Sequence, residues 1–348
     1  MATDSTRAPH RAALGGPDQF SGPGGRASLI LALAAAWLLA APAALAQEQV
    51  DIEYSKPARL VTQALALDGV AVDEALVAVG ERGHVLVSTD NGGSWTQSEV
   101  PTRSMLTTVH FHDRQLGWAA GHDSVILRTS NGGSSWERVH WAPEDEAPFF
   151  DVWFRDADYG IAIGAYGSFF ETFDGGTTWS SRWISEDDWH LHQLAALPSG
   201  EMYIAAEAGS VYRSDDGGEN WVTLTSPYEG SFFGVLAVED AILIFGLRGH
   251  LFRSEDRGET WQDIDTGTVA MLTDGVVLAD GTVVIVGLGG TVLASSDGGR
   301  SFELYPQSNR RGIAAVTETP DGGLFVVGEF GVKATALSDL MTGSGGTP

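Results

Sequence analysis

Two histidine pairs, His110-x-His112 and His190-x-His192, are the side chains of this sequence whose type and spacing could bind a metal. On a β-strand, residues i and i+2 point to one face. Each pair could therefore offer two imidazole ligands, with Asp113 or Asp188 as a third. The same spacing also suits an ordinary polar strand surface, and no His-Glu-x-x-His stretch accompanies it. Arg103, Arg310 and Arg311 could converge on a carboxylate, as hydrolysis of an acidic sugar would require beside a Tyr/Glu nucleophile pair. No Gly-x-Ser-x-Gly segment is present, and Gly287-Leu288-Gly289-Gly290 opens a strand rather than a helix, so it cradles no phosphate. The chain has no cysteine, which removes disulfides, thiolate metal sites and a cysteine nucleophile together. These patterns lead to an expectation of no catalytic residue, no cofactor and no bound metal.

The side chains are positioned by a repeat. The stretch Asp174-Gly175-Gly176-Thr177-Thr178-Trp179 recurs with its ends at Asp90 and Trp95, Asn131 and Trp136, Asp216 and Trp221, Asp256 and Trp261, and Asp297 and Phe302. The closing aromatics are spaced 41, 43, 42, 40 and 41 residues apart. The Asp or Asn can bond nearby amides and close a tight turn, and the Gly supplies a backbone conformation that a Cβ penalises. The aromatic buries a large ring between units. A carboxylate turn repeated in this way is a structural device rather than a calcium or catalytic site. Before each turn runs a strand of the form Gly-x-x-Gly-x-aliphatic-x-x-Ser/Thr, as in Gly121 to Thr129, with two further short strands upstream. Four strands per ~40-residue period make a β-propeller blade. Seven openings, the last at Gly328, predict seven four-stranded antiparallel blades over residues 47–336. Val50 to Tyr54 is expected to supply the missing outer strand of the seventh blade and close the ring. Residues 337–348 are expected to form a flexible tail.

Ahead of the repeats, Arg7, Arg11 and Arg26 precede an uncharged run from Ala27 to Ala46 ending in Ala-x-Ala. This reads as a signal peptide over 1–46, with an uncleaved anchor as the alternative. An exported, periplasmic, lumenal or extracellular protein follows. Its 20 basic and 46 acidic residues give a net charge of −26, which argues against nucleic acid and anionic lipid as partners.

The strand pattern and its Asp-x-Gly-x-Thr-Trp turn resemble the Asp-box (BNR) propellers. Within them the short uninterrupted blades and the strand Gly117-Trp118-Ala119-Ala120-Gly121 are similar to the Ycf48/Hcf136-like photosystem II assembly and stability factors. The resemblance covers residues 55–336. It implies a seven-bladed, non-catalytic scaffold that assists assembly of a membrane protein complex from its lumenal or periplasmic side; the expected partner is a protein, the extracytoplasmic part of such a complex, and the expected state is a monomer. In photosynthetic members a surface patch rich in arginine is associated with the partner, whereas here Arg103, Arg182, Arg310 and Arg311 are scattered. A glycan-binding or sialidase-like propeller is the alternative.

The loops between blades are the expected docking surface, because two of them mix rings and acids. Trp141, Glu144 and Asp145 lie in one, and Trp183, Asp187 and Trp189 in the next. Tyr228 and Phe232 follow, then Arg310 and Arg311, with Arg103 in the first connector. Exposed aromatics concentrate binding energy at interfaces. Phe150, Trp189 and Phe233 could instead plug the central channel.

Overall fold

The chain builds its core between blades rather than inside them. A computed structural model describes residues 52–342. Seven antiparallel sheets follow one another along them, six of four strands and the last of three. Blade one comprises Ala66–Val72, Ala75–Gly80, Val85–Ser88 and Thr96–Gln97; blade seven comprises Ile313–Glu318, Leu324–Gly328 and Gly331–Thr335. The first strand of each blade neighbours the first strands of the blades before and after it, so the seven form a closed circle around a channel. The seven-bladed propeller read from the repeat is therefore the architecture.

Each second strand is buried along its whole length, as in Gly117–Gly121 and Leu324–Gly328, because neighbouring blades cover both of its faces. That is why these strands read as unbroken apolar runs instead of alternating ones. Buried side chains fall into clusters that straddle adjacent blades. Val77 and Leu106 join blades one and two, Trp118 and Phe154 join two and three, and Leu76 and Phe325 join one and seven. The glycine that ends a second strand meets the first strand's backbone. A Cβ on Gly121 would lie 2.1 Å from the carbonyl oxygen of Met105, which no side chain can tolerate.

The repeated turn owes its closure to a residue that the motif does not include. In blade three the Thr172 hydroxyl accepts the Gly176 amide at 2.9 Å and donates to Asp174 at 2.9 Å. Asp174 then accepts the Thr178 amide and hydroxyl at 2.8 and 2.7 Å. Trp179 donates its indole N–H to the Gly176 carbonyl at 3.1 Å. Ser88, Thr129, Ser214, Ser254 and Ser295 repeat the hydroxyl's role. Thr172 and Gly176 are buried, so Thr172→Val leaves an amide without a partner. We expect a loss of about 1–3 kcal/mol in denaturant unfolding. Asp174→Asn should cost far less, since Asn131 already performs the same bonding in blade two.

Ring closure departs from the expectation. Val50 and Asp51 lie outside the described residues, and Ile52 to Tyr54 form no strand. Glu53 instead pairs with Arg103 at 2.9 Å. The Ser55 amide donates to the Val100 carbonyl, and the Gln97 side chain accepts from Ala58 and donates to Lys56. These bonds hold the segment against the outer side of blade one, and among the described residues blade seven has three strands. The seam between blades one and seven is closed by packing: Trp95 stacks on Phe325 at 5.4 Å and Asn91 donates to Asp321. The tail expected from 337 onward begins as a helix, Leu337–Met341. Leu340 is buried there, and its carbonyl accepts from Gln307 at 2.7 Å. The expected signal peptide over 1–46 lies outside the described residues.

Candidate protein-docking face

Antiparallel blades place their loops on two faces. The turns between strands one and two share one face with the Asp boxes. The hairpins between strands two and three share the other face with the blade-to-blade connectors. The box face is strongly acidic, and several of its arginines are engaged there. Arg253 reaches Asp240 and Glu255, Arg300 reaches the same pair, and Arg257 reaches Asp215 and Glu201.

On the connector face, the hairpins between strands two and three of blades one to six turn through a left-handed residue. Arg82, Tyr166, Ala208 and Arg248 hold this position with φ of 56–58°. A side chain there costs roughly 1–2 kcal/mol relative to the right-handed region, so the hairpin presents it outward at a cost in stability. Tyr166 is 55% exposed, and the neighbouring Trp183 is 67% exposed. The Trp183 ring lies across Gly167, where a Cβ would sit 2.8 Å from it. The Tyr166 amide donates to His190 Nδ1 at 3.1 Å, and the two rings meet edge to face at 5.0 Å. Glu207 Oε2 lies 3.6 Å from the same His190 nitrogen. Glu186, Asp187, Asp188, Glu144 and Asp145 are exposed on the flanking connectors. Blades two to four therefore present aromatic rings in an acidic frame, whereas Arg82, Arg248, Arg310 and Arg311 occupy the rest of the face.

The structure separates the residues expected to meet a partner. Trp183, Glu144, Asp145 and Asp187 are exposed, and Trp189 is half-buried. Phe232 is fully buried between blades four and five, so its place in the docking set is corrected. Strand alternation sends Phe232 into the seam and Phe233 to the channel. Tyr228 packs into the same seam and lies 4.1 Å from the His250 ring. Trp141 is half-buried beneath the Arg138 guanidinium at 4.4 Å. Arg103 is held by Glu53, Arg311 by the Glu329 carbonyl, and Arg182 by Glu171. Each arginine thus serves a separate neighbour. Tyr166 was not singled out in the sequence, although its place one residue before the second opening glycine matches Arg82 and Arg248.

Neither histidine pair behaves as a ligand set. His112 lies past the end of its strand, and His110 is half-buried beside Phe154, where desolvation brings its pKa down to about 4. His192 donates Nδ1–H to the Phe232 carbonyl at 2.8 Å, and burial lowers its pKa too. Among the described residues no three potential ligands come together.

The channel wall carries a polar belt. The channel-side amides of the first strands have no strand partner, and side chains from the preceding blade meet them. Asp68 accepts the Val109 amide at 2.7 Å, Asp151 that of Leu194 at 2.8 Å, Gln193 that of Val235 at 2.9 Å and Asp274 that of Val316 at 2.9 Å. All three carboxyls keep some accessible surface toward the channel, yet protein surrounds them on every other side. Burial raises Asp68, takes Asp151 to about 7 and Asp274 to about 6.

A ring of seven blades, six of them carrying an Asp box, with a polar channel and one aromatic loop face defines an all-β propeller, and comparison with known proteins narrows it. The chain belongs to the family described as photosynthesis system II assembly factor YCF48, whose model matches residues 48–145 and 143–331. The chain is 27% identical over 138 residues to a photosystem II assembly lipoprotein Ycf48 of Synechococcus, covering 39% of this chain and 41% of that one. It is 30% identical over 112 residues to the chloroplastic photosystem II stability/assembly factor HCF136 of Arabidopsis thaliana, covering 31% and 28%. The chain thus spans less than half the length of these curated relatives. A solved structure described as YCF48 bound to D1 peptide superposes with a TM-score of 0.67 at 20% identity, over 79% of this chain and 94% of that one.

Proposed function

We propose that this protein is an exported, monomeric, non-enzymatic scaffold. It holds an extracytoplasmic segment of a membrane-complex subunit on the aromatic sector of its connector face during assembly. The observation that carries this reading is the exposed pair Trp183 and Tyr166, the latter held in a left-handed turn that disfavours its side chain. Two large rings left mostly in water on adjoining loops are a ready surface for a partner. The acidic frame selects a segment carrying basic residues next to apolar ones. Family membership supports the assembly role, and the neighbour solved with a peptide shows that a propeller of this shape can hold one.

Trp183→Ala combined with Tyr166→Gly tests the site. Both positions are exposed, and glycine relieves the left-handed turn, so the melting temperature should stay level or rise. Used as bait against solubilised cell envelope, the intact chain should recover one membrane complex by mass spectrometry. The double variant should recover at least tenfold less. Equal recovery by both proteins sinks this site. Retention of a glycan in place of a protein, lost in the same variant, turns the face over to carbohydrate recognition.

A further inference from the structure

Among the described residues, the outer edge of blade seven is open. Every other blade fills this position with a strand of two to four residues, such as Thr96–Gln97 or Glu137–His140. Beside the free strand Gly331–Thr335 runs a cleft of about 1180 Å³, walled by Gln63 and Trp95 toward blade one and by Gln307 and Leu340 toward blade six. A free edge offers a row of unpaired amides and carbonyls to any extended chain that fits.

We propose that this edge accepts an extended segment of a partner protein as a fourth strand, with apolar and acidic residues alternating along it. The alternation is written in the walls. Val332 and Ala334 turn toward blade one, where they join Val61 and Trp95, and a Cβ on Gly92 would come within 2.8 Å of Ala334 Cβ. Strand geometry sends Lys333 to the opposite wall, on the side of Arg311. Lys333 has no ion-pair partner among the described residues, and Asp339 is the one acid lining the cleft. In a chain of net charge −26, a cleft with two cations and one acid favours acidic side chains. A guest strand would set apolar residues over Trp95 and carboxylates over Lys333.

Other occupants fit less well. Residues 52–60 are tied to blade one by the bonds of Glu53, Ser55 and Ala58. Residues 343–348, Gly-Ser-Gly-Gly-Thr-Pro, contain no acid and no aliphatic side chain beyond proline. A second copy pairing edge to edge would bring Lys333 toward its own counterpart, and like charges across strands repel.

The probe is a fluorescein-labelled peptide of alternating valine and glutamate, titrated into the intact chain and read by anisotropy. Saturable binding is expected. It should weaken at least tenfold when the central residue of the peptide is proline, which removes an edge hydrogen bond. Lys333→Glu should switch the preference to a valine–lysine peptide while keeping the wild-type melting curve. Binding should survive in the Trp183→Ala, Tyr166→Gly protein, which separates this edge from the connector face. No saturable binding, or equal binding of the proline peptide, overturns the proposal. Binding that appears only after residues 343–348 are removed assigns the edge to the chain's own terminus. A concentration-dependent dimer abolished by substitution at Lys333 assigns it to a second copy. Either result overturns a partner strand.

Discussion

Replacing Asp151 with Asn should shift the pH dependence of stability between pH 5 and 7 toward a rise. Two sets of buried groups titrate in that window with opposite signs. The carboxyl of Asp151 is raised to about 7 and that of Asp274 to about 6 by burial, against 3.8 in an unfolded chain. Above 3.8 the unfolded state has released protons that the folded state still holds, so these acids make stability fall as pH rises, until about pH 7. His110 is lowered by burial to about 4 from 6.5, and burial lowers His84, His140 and His192 as well. Between their folded values and 6.5 the unfolded state binds more protons, so these histidines make stability rise with pH. In the wild type the two sets oppose each other across this window, and the contribution of Asp151 keeps falling until it ionises near pH 7. Asp151→Asn removes one member of the falling set, so the slope from pH 5 to 7 should become more positive. His110→Asn should make it more negative. One proton of difference alters the slope by about 1.4 kcal/mol per pH unit. Urea unfolding at half-unit pH steps measures it. Identical slopes in the wild type and Asp151→Asn would place the proton uptake elsewhere. Below pH 4 a different limb begins. The box carboxylates Asp90, Asp216 and Asp256 are held near 2 by the hydroxyl and amide donors around them. Their contribution is present above 3.8 and lost as pH falls toward 2.

The sequence made the ring legible because its signal is repeated and local. Each turn closes over six residues, each glycine answers a steric demand within its own blade, and the period counts the blades. What it hid was set across blades. Asp68, Asp151 and Asp274 sit 12 or 13 residues before the glycine or alanine that ends the second strand, as do Thr108 and Gln193. That common offset is visible in the repeats, but its meaning requires the neighbouring blade's amide. Phe232 and Phe233 show the same limit. Both read as loop aromatics, and strand register alone decides which one enters the core. Tyr166 was hidden because a left-handed turn does not forbid tyrosine; it only charges for it. The N-terminal segment misled for a local reason. Val50 to Tyr54 has β-forming residues, but Arg103 holds the Glu53 carboxylate and the Tyr54 carbonyl, and Gln97 holds Lys56 and Ala58 just after them, beside blade one.

Trp118→Ala should be the most destabilising single substitution in the ring, at about 3–5 kcal/mol. The indole is fully buried and lies flat against Phe154 of the next blade, with an interplanar angle of 5°. Its N–H crosses the seam to the Gly175 carbonyl at 3.1 Å, and a Cβ on Gly176 would meet its Nε1 at 2.7 Å. The ring therefore fills the space beneath the blade-three box, and alanine leaves a cavity bounded by two blades that cannot collapse without moving that turn. Trp118→Phe retains most of the packing and gives up the bond, so it should cost about 1 kcal/mol plus the smaller lost area. In a ring each blade is supported by its two neighbours. Blade one already rests on a blade seven that has no outer strand, so weakening the seam between blades two and three leaves blades one and two bounded by a weak contact at each end. Hydrogen exchange should then accelerate first in Ala75–Gly80 and Gly117–Gly121, while Ala241–Gly246 keeps its protection. A uniform loss of protection around the ring would show instead that the seven seams unfold as one cooperative unit. A cost under 1 kcal/mol would show that the Trp118 seam does not hold the ring together.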